Sequence, residues 1–365
     1  MTRTRKLLAG GLLVTAVAVS GLTAALATEN VSQTYAYLPD HSVYFYDVSD
    51  GYAWAHREVD ALSLAGVTKG SGDHLFNPES PITRADFIVM LDRAYGMSTA
   101  LDNGLIASKG AFADVPANAY YSEAITAAKA FGVANGAEGN KFNPQQNMTR
   151  QDAMVFLKRT IDRTQISLPA GSMSGFSDAA QVSGYARESV GSLVSAHVIS
   201  GSGGKISPKA LVTRAEMAVM LYRATHLTEQ DSGTFYEKRG DVVNVCIGAQ
   251  VYADVEIENY DPTVYYGELM RYSKLRQSGG TTYITLEENQ PIDRTATYAN
   301  GTLTLNDPAG EAGATVSYPT ASNCVAIDVT HYHKIDAPTG TGGKYRYCYP
   351  SIVDGEVTAI YYTEG

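Results

Sequence analysis

A four-residue signature returns three times along the chain, as Thr83-Arg84-Ala85-Asp86, Thr149-Arg150-Gln151-Asp152 and Thr213-Arg214-Ala215-Glu216. Each copy opens an apolar run with helical spacing: Phe87, Met90, Leu91, Ala94 and Tyr95, then Ala153, Phe156, Leu157 and Ile161, then Met217, Met220, Leu221 and Ala224. The fold must therefore hold three equivalent helices, each starting at a Thr-Arg pair. Thr at the N-cap accepts from a backbone N–H three residues on, while an acid there reaches back to the N-cap amide. The signature is thus a capping box, with Asp86 and Asp152 as shorter substitutes for the preferred Glu216 type. Capping does not explain the arginine. A cation in the first helical turn opposes the helix dipole, so Arg84, Arg150 and Arg214 are expected either to meet a bound anion or to pair with an acid of a neighbouring repeat.

A second landmark keeps nearly the same step. Phe45-Tyr46-Asp47-Val48, Phe112-Ala113-Asp114-Val115 and Phe176-Ser177-Asp178-Ala179 place an Asp at intervals of 67 and 64 residues, against 66 and 64 for the Thr-Arg pair. Two landmarks in step define a repeated unit. Each unit reads as helix, loop, helix. Ala55, Val59 and Leu62, then Tyr121, Ile125 and Ala128, then Ala186, Val190 and Leu193 line one face of the first helix. Trp54, Tyr120 and Tyr185 stand just before that face, where an aromatic at constant offset suits either core packing or a ligand. Gly70, Gly136 and Gly201 suit a positive φ in the loop, which closes with Phe76-Asn77-Pro78, Phe142-Asn143-Pro144 and Ile206-Ser207-Pro208.

Phe-x-Asp-Val, an aromatic-Ala pair, a Gly-rich loop, Phe-x-Pro and Thr-Arg-Ala-Glu, in that order and three times over, resemble the S-layer homology (SLH) domain family across roughly residues 45 to 226. The resemblance implies an all-α, pseudo-threefold module whose second helices gather at the centre. It also implies grooves between repeats that bind secondary cell-wall polysaccharide, often pyruvylated. Transferred residue by residue, it marks Arg84, Arg150 and Arg214 as contacts to the sugar carboxylate and Trp54, Tyr120 and Tyr185 as sugar contacts. Thr83, Asp86, Thr149, Asp152, Thr213 and Glu216 remain structural caps. A guanidinium fork suits a fixed carboxylate. Three departures predict unequal grooves: Gln151 in the second signature, Ile206 in place of Phe, and His197 where the other repeats have Gly66 and Gly132.

Upstream, Arg3, Arg5 and Lys6 precede a charge-free apolar run and Ala25-Leu26-Ala27, which reads as a signal peptide over residues 1–27, leaving no transmembrane segment after cleavage. Residues 28–44 read as a polar, Tyr-rich lead-in, followed by repeats at 45–99, 110–164 and 174–228. Without the leader, 25 of the 28 basic residues face 38 acidic ones, so nucleic acid is not an expected partner. Cys246, Cys324 and Cys348 allow at most one internal bridge.

From about residue 235 to 365 the period changes to that of strands, as in Val251, Ala253, Val255 and Ile257. Asn300-Gly301 and Asp354-Gly355 are hairpin turns, and the segment is expected to form a small antiparallel β domain, a barrel or a sandwich. Glu287 and Glu288 point to opposite faces of a strand, which does not suit a catalytic carboxylate pair. His331 and His333 share a face but lack a recognisable further ligand spacing, so no metal or cofactor is expected. The expected protein is a secreted, non-enzymatic cell-surface protein of a Gram-positive bacterium. The SLH repeats would hold it to wall polysaccharide, and the β tail would serve display, adhesion or assembly with other copies in a surface layer. The alternative is a wall-anchored enzyme or accessory subunit with an unrecognised catalytic tail.

Overall fold

The computed structural model describes residues 34–227, 242–259, 266–287, 295–306, 315–330, 335–339 and 345–363. These divide into two compact units, 62–227 and 34–61 with 242–363. The expected fold class holds: helix-loop-helix repeats come first, and a β domain with a closed barrel follows.

The helical unit is built from α2 (Arg84–Tyr95), α3 (Met97–Asp102), α4 (Ser122–Phe131), α5 (Arg150–Ile161), α6 (Arg187–Ser195) and α7 (Arg214–Thr225); α1 (His56–Leu64) spans the division between the units. The three helices that begin at the signature, α2, α5 and α7, pack pairwise against one another. Their inward residues, including Phe87, Leu91, Met154, Met217 and Leu221, are buried. A closed ring of backbone hydrogen bonds joins the segments just before them: Ile82 N–H donates to Val212 O, Val212 N–H to Met148 O, and Met148 N–H to Ile82 O, at 3.0 to 3.1 Å. This ring makes the unit a closed trimer of repeats rather than an open stack. Two of the three loop glycines fit closely: Gly136 and Gly201 take φ of 74° and 68°, and a Cβ there would lie 2.4 and 2.5 Å from the rings of Phe112 and Phe176. In the first repeat the positive φ falls on Gly72 (113°), two residues past the expected Gly70. His197 adopts the same left-handed conformation (φ 56°) as Gly66 and Gly132, so the departure keeps the backbone path at a local energetic cost.

The β unit starts earlier in the chain than its sequence signals. The stretch read as a lead-in contains β1 (Thr34–Tyr37), which pairs antiparallel with β2 (Val242–Ile247) and with β4 (Leu269–Ser278). With β3 (Gln250–Ile257) and β5 (Thr281–Glu287) these strands close a barrel in the order β1-β2-β3-β5-β4. The β3–β5 pair is parallel. The barrel interior holds Ala36, Leu38, Val243, Val245, Val255, Ile257, Met270, Ile284 and Leu286. The even alternation of β3 breaks at Asp254 (φ 54°), where the β2–β3 register shifts by one residue. That bulge turns Val251 to the barrel's outer layer and Val255 inward.

A second sheet, β10 (Arg346–Val353), β11 (Glu356–Thr363), β8 (Thr315–Asp328), β7 (Thr302–Asn306) and β6 (Ala296–Ala299), with β9 (Ile335–Asp336) on β8, repeats the plan. Its first, second, third, fifth and fourth main strands are neighbours in turn, its third–fifth pair (β8–β11) is parallel, and an Ala296–Tyr345 bridge ties its first strand to the start of the fourth. Tyr35, Tyr37, Cys246, Val251, Ile327, Ala359 and Tyr361 form the layer between barrel and sheet. Tyr361 Oη donates to Tyr35 O at 3.1 Å and accepts from Gly248 N–H. Both expected hairpins form, and Asn300-Gly301 and Asp354-Gly355 have positive φ at both central residues, as a type I′ turn requires. Cys246, Cys324 and Cys348 are buried, and none is in a disulfide.

Residues 38–61 fold with the barrel around Asp60, which is fully buried. Asp60 accepts Ser42 Oγ–H at 2.5 Å and Val43 N–H at 2.9 Å. Desolvation outweighs these bonds and pushes its pKa up from 3.8 to about 7. A carboxyl whose folded pKa exceeds its unfolded value contributes stability that is complete below the unfolded pKa and is lost as pH rises through the folded one. Relative to the parent, Asp60→Asn should therefore gain stability steadily from about pH 4 to pH 7 and no further above it. Denaturant titrations across that range give the answer, and a difference that does not change with pH would place Asp60 outside the titration.

Candidate functional site

Each signature helix starts against the loop of the next repeat. Arg84 N–H and Ala85 N–H donate to Gln146 O and Pro144 O, Arg150 and Gln151 to Ala210 O and Pro208 O, and Arg214 and Ala215 to Ser80 O and Pro78 O, at 2.9 to 3.1 Å. The first backbone donors of these helices are thus occupied by the neighbouring repeat. They are not free to receive an anion. The arginine side chains follow the same path: Nε donates to Phe142 O from Arg84 (2.9 Å), to Ile206 O from Arg150 (2.9 Å) and to Phe76 O from Arg214 (2.7 Å).

Beyond Nε the three arginines differ. Arg84 lies over two rings, 4.7 Å from the Phe142 centroid and 5.0 Å from that of Phe156. Burial lowers its pKa, while the charges of Asp152, Asp114 and Tyr185 act the other way. Arg214 lies 4.7 Å over Phe76, and its Nη2 donates to Lys69 O at 3.2 Å. Arg150 faces Ile206 instead of a ring, and its Nη1 pairs with Glu216 Oε1 at 2.7 Å. One of the two alternatives left open by the sequence is thus met at Arg150, which pairs with an acid of the next repeat, whereas Arg84 and Arg214 lie on aromatic faces, an arrangement the sequence reading did not include.

The caps form as expected in kind but not in detail. Thr83, Thr149 and Thr213 accept from the N–H groups of Asp86, Asp152 and Glu216 at 3.1 to 3.4 Å. Only Glu216 returns the bond, taking Thr213 N–H at 3.1 Å. Asp86 and Asp152, one methylene shorter, accept the threonine hydroxyl instead at 2.7 Å. Thr83→Ala, Thr149→Ala and Thr213→Ala should each cost about 1 kcal/mol of stability, the usual worth of an N-cap. Urea titrations of the three variants check this, and full stability with lost ligand binding would move the threonine from cap to contact.

The aromatic positions lie at the surface: Trp54 is 51% exposed, Tyr120 69% and Tyr185 61%. Tyr120 and Tyr185 donate their hydroxyls to Asp86 and Asp152, both at 2.6 Å. Burial and the bond to the carboxylate push both phenols up to about 12. Gln151, the departure in the second signature, reinforces this contact: its amide donates to Tyr185 Oη at 2.7 Å and accepts Ser183 N–H at 3.1 Å. Trp54 tilts against Tyr52, ring centres 6.2 Å apart.

Asp114 and Asp178 carry a role that the sequence reading left unassigned. Asp114 accepts the N–H groups of Phe142 and Asn143, both at 2.7 Å, and Asp178 those of Ile206 and Ser207 at 2.9 and 2.8 Å. Although desolvation pushes them up, these backbone bonds hold both carboxyls below the ordinary range. They shape the turns whose carbonyls receive Arg84 and Arg150. Their recurrence in step with the Thr-Arg pair was the signal.

Of the tail residues weighed for catalysis, Glu287 is held by Arg271, with Nε and Nη2 at 3.0 and 2.7 Å. Glu288, His331 and His333 lie outside the described residues. Among the described residues no group of three or more His, Cys, Asp or Glu could hold a metal ion, and no helix is long and apolar enough to cross a membrane.

Comparison with known proteins matches residues 44–88, 111–154 and 175–218 to the family model of the S-layer homology domain. Similar curated proteins include the exoglucanase XynX of Acetivibrio thermocellus, 27% identical over 50% of this chain and 16% of that protein. The amylopullulanase of Thermoanaerobacterium thermosulfurigenes is 27% identical over 49% of the chain and 9% of its own length. The surface-layer 125 kDa protein of Lysinibacillus sphaericus is 31% identical over 47% and 14%. The chain thus spans less than a fifth of the length of each of these relatives.

Proposed function

From a chain that carries three S-layer homology domains, we propose a cell-surface protein held non-covalently to the wall by secondary cell-wall polysaccharide bound between its repeats. The observation that carries this reading is a guanidinium laid on an aromatic face, at Arg84 and at Arg214, in a module whose signature acids Asp86 and Asp152 each hold an exposed tyrosine. Arginine over a ring keeps its charge and planar fork while shedding water, which suits a carboxylate fixed to a sugar, such as a pyruvyl ketal. Tyr120, Tyr185 and Trp54 supply flat faces for the sugar rings.

The β unit serves display, adhesion or assembly in this reading rather than catalysis. The relatives include both enzymes and surface proteins, and what they share with this chain covers at most half of it. Sedimentation of the full chain with purified Gram-positive wall, before and after the polymer is stripped from the peptidoglycan, tests the anchoring. Binding is expected only to the unstripped wall, and equal binding to both would remove the polymer from the mechanism. Release of reducing ends from wall fragments or β-glucan by the same protein would instead favour a wall-anchored enzyme.

A further inference from the structure

We infer that Glu216 closes Arg150 to an incoming anion and leaves Arg84 as an anion contact, an inference that rests on the polysaccharide reading above. The signature acid decides the outcome. At α2 and α5 it is Asp, and its carboxylate is filled from two sides: Asp86 by the Thr83 and Tyr120 hydroxyls, Asp152 by those of Thr149 and Tyr185. At α7 it is Glu, one methylene longer. Glu216 spends Oε2 on its own N-cap and extends Oε1 to Arg150, whose side chain is only 11% exposed. An arginine neutralised in this way offers a second carboxylate neither net charge nor two parallel donors.

Arg84 is the opposite case. Its Nε is used on Phe142 O, and its Nη atoms make no hydrogen bond among the described residues. Asp152 and Asp114 lie near enough to act on its charge, yet each carboxylate is already taken by two donors, and neither forms an ion pair with Arg84 among the described residues. A ring-supported fork with an exposed tyrosine close by is the arrangement that takes a planar, singly charged carboxylate on a sugar.

Calorimetric titration of the full chain with wall polysaccharide released from Gram-positive peptidoglycan tests this. Arg84→Lys should weaken binding about tenfold, the loss of one charge-assisted hydrogen bond. Because it also gives up the Nε bond to Phe142 O, it should lower the melting temperature as well, so the affinities are compared well below the melting points of both proteins. Arg150→Lys should lower the melting temperature, because it loosens an ion pair between repeats, and leave the affinity within about twofold. Glu216→Asp, which copies the acid of the other two helices, should release Arg150 and tighten binding, and adding Arg150→Lys should cancel the gain. Equal losses from Arg84→Lys and Arg150→Lys, or no gain from a folded Glu216→Asp, would overturn this inference while the anchoring reading stands. A wild-type chain that does not bind the polymer at all would overturn both.

Discussion

Residues 242–363, expressed alone, should fail to fold. The barrel lacks a strand without β1, whose Thr34–Tyr37 lie against Tyr272–Leu269 of β4 and whose Tyr37 pairs with Cys246 of β2. Its loss opens both flanking edges, removes Ala36 and Leu38 from the barrel interior, and takes Tyr35 and Tyr37 out of the layer beneath the second sheet. Joining residues 34–61 to 242–363 through a short Gly-Ser linker should restore a cooperative fold. The ends to be joined are already close, since Arg57 Nη1 donates to Val242 O at 2.7 Å and Asn244 Nδ2 to Arg57 O at 3.0 Å. Circular dichroism and thermal melts of the two proteins decide the matter, and a cooperative transition in 242–363 alone would show that β1 is dispensable.

Deleting the second repeat, residues 110–164, should abolish the fold of the helical unit instead of shortening it. The N–H groups of Arg84 and Ala85 and the Nε of Arg84 all donate to carbonyls between residues 142 and 146. Each of these bonds is worth about 0.5–1.5 kcal/mol net once water takes the donor instead. To their loss is added the exposure of the apolar faces of both neighbouring repeats, against the roughly 5–15 kcal/mol that stabilises a typical domain. The backbone ring through Ile82, Met148 and Val212 also opens. Loss of helical signal and rapid proteolysis are expected, and a helical, cooperatively melting two-repeat protein would refute the closed-ring account.

What the sequence reveals and what it conceals divide along the range of the interactions. The helix starts at Thr83, Thr149 and Thr213 and the turns at Asn300-Gly301 and Asp354-Gly355 are set by neighbours a few residues apart, and they stand where the sequence places them. β1 went unread because four residues, Thr-Tyr-Ala-Tyr, carry no period of their own. Its partners lie more than two hundred residues downstream. The parallel β3–β5 and β8–β11 pairs are equally invisible to a reading built on hairpins. At the grooves, recurrence exposed the arginines and aromatics. The ion pair of Arg150 depends on Glu216 reaching it from the next repeat, across a ring that only the closed fold creates.

The barrel's first strand also sets an order of events during synthesis. β1 leaves the ribosome long before β2 and β4 exist, and it stays without its partners while the whole helical module is made. Closing so long a loop costs only about 2 kcal/mol more than closing one a tenth as long, because the entropy grows with the logarithm of length. The delay is therefore one of timing more than of energy. A chain cut short anywhere before β5 keeps an open barrel seam, however well its repeats have folded. Completion of synthesis is in this way written into the surface of the molecule, as the presence or absence of a free strand edge that extracellular proteases can read.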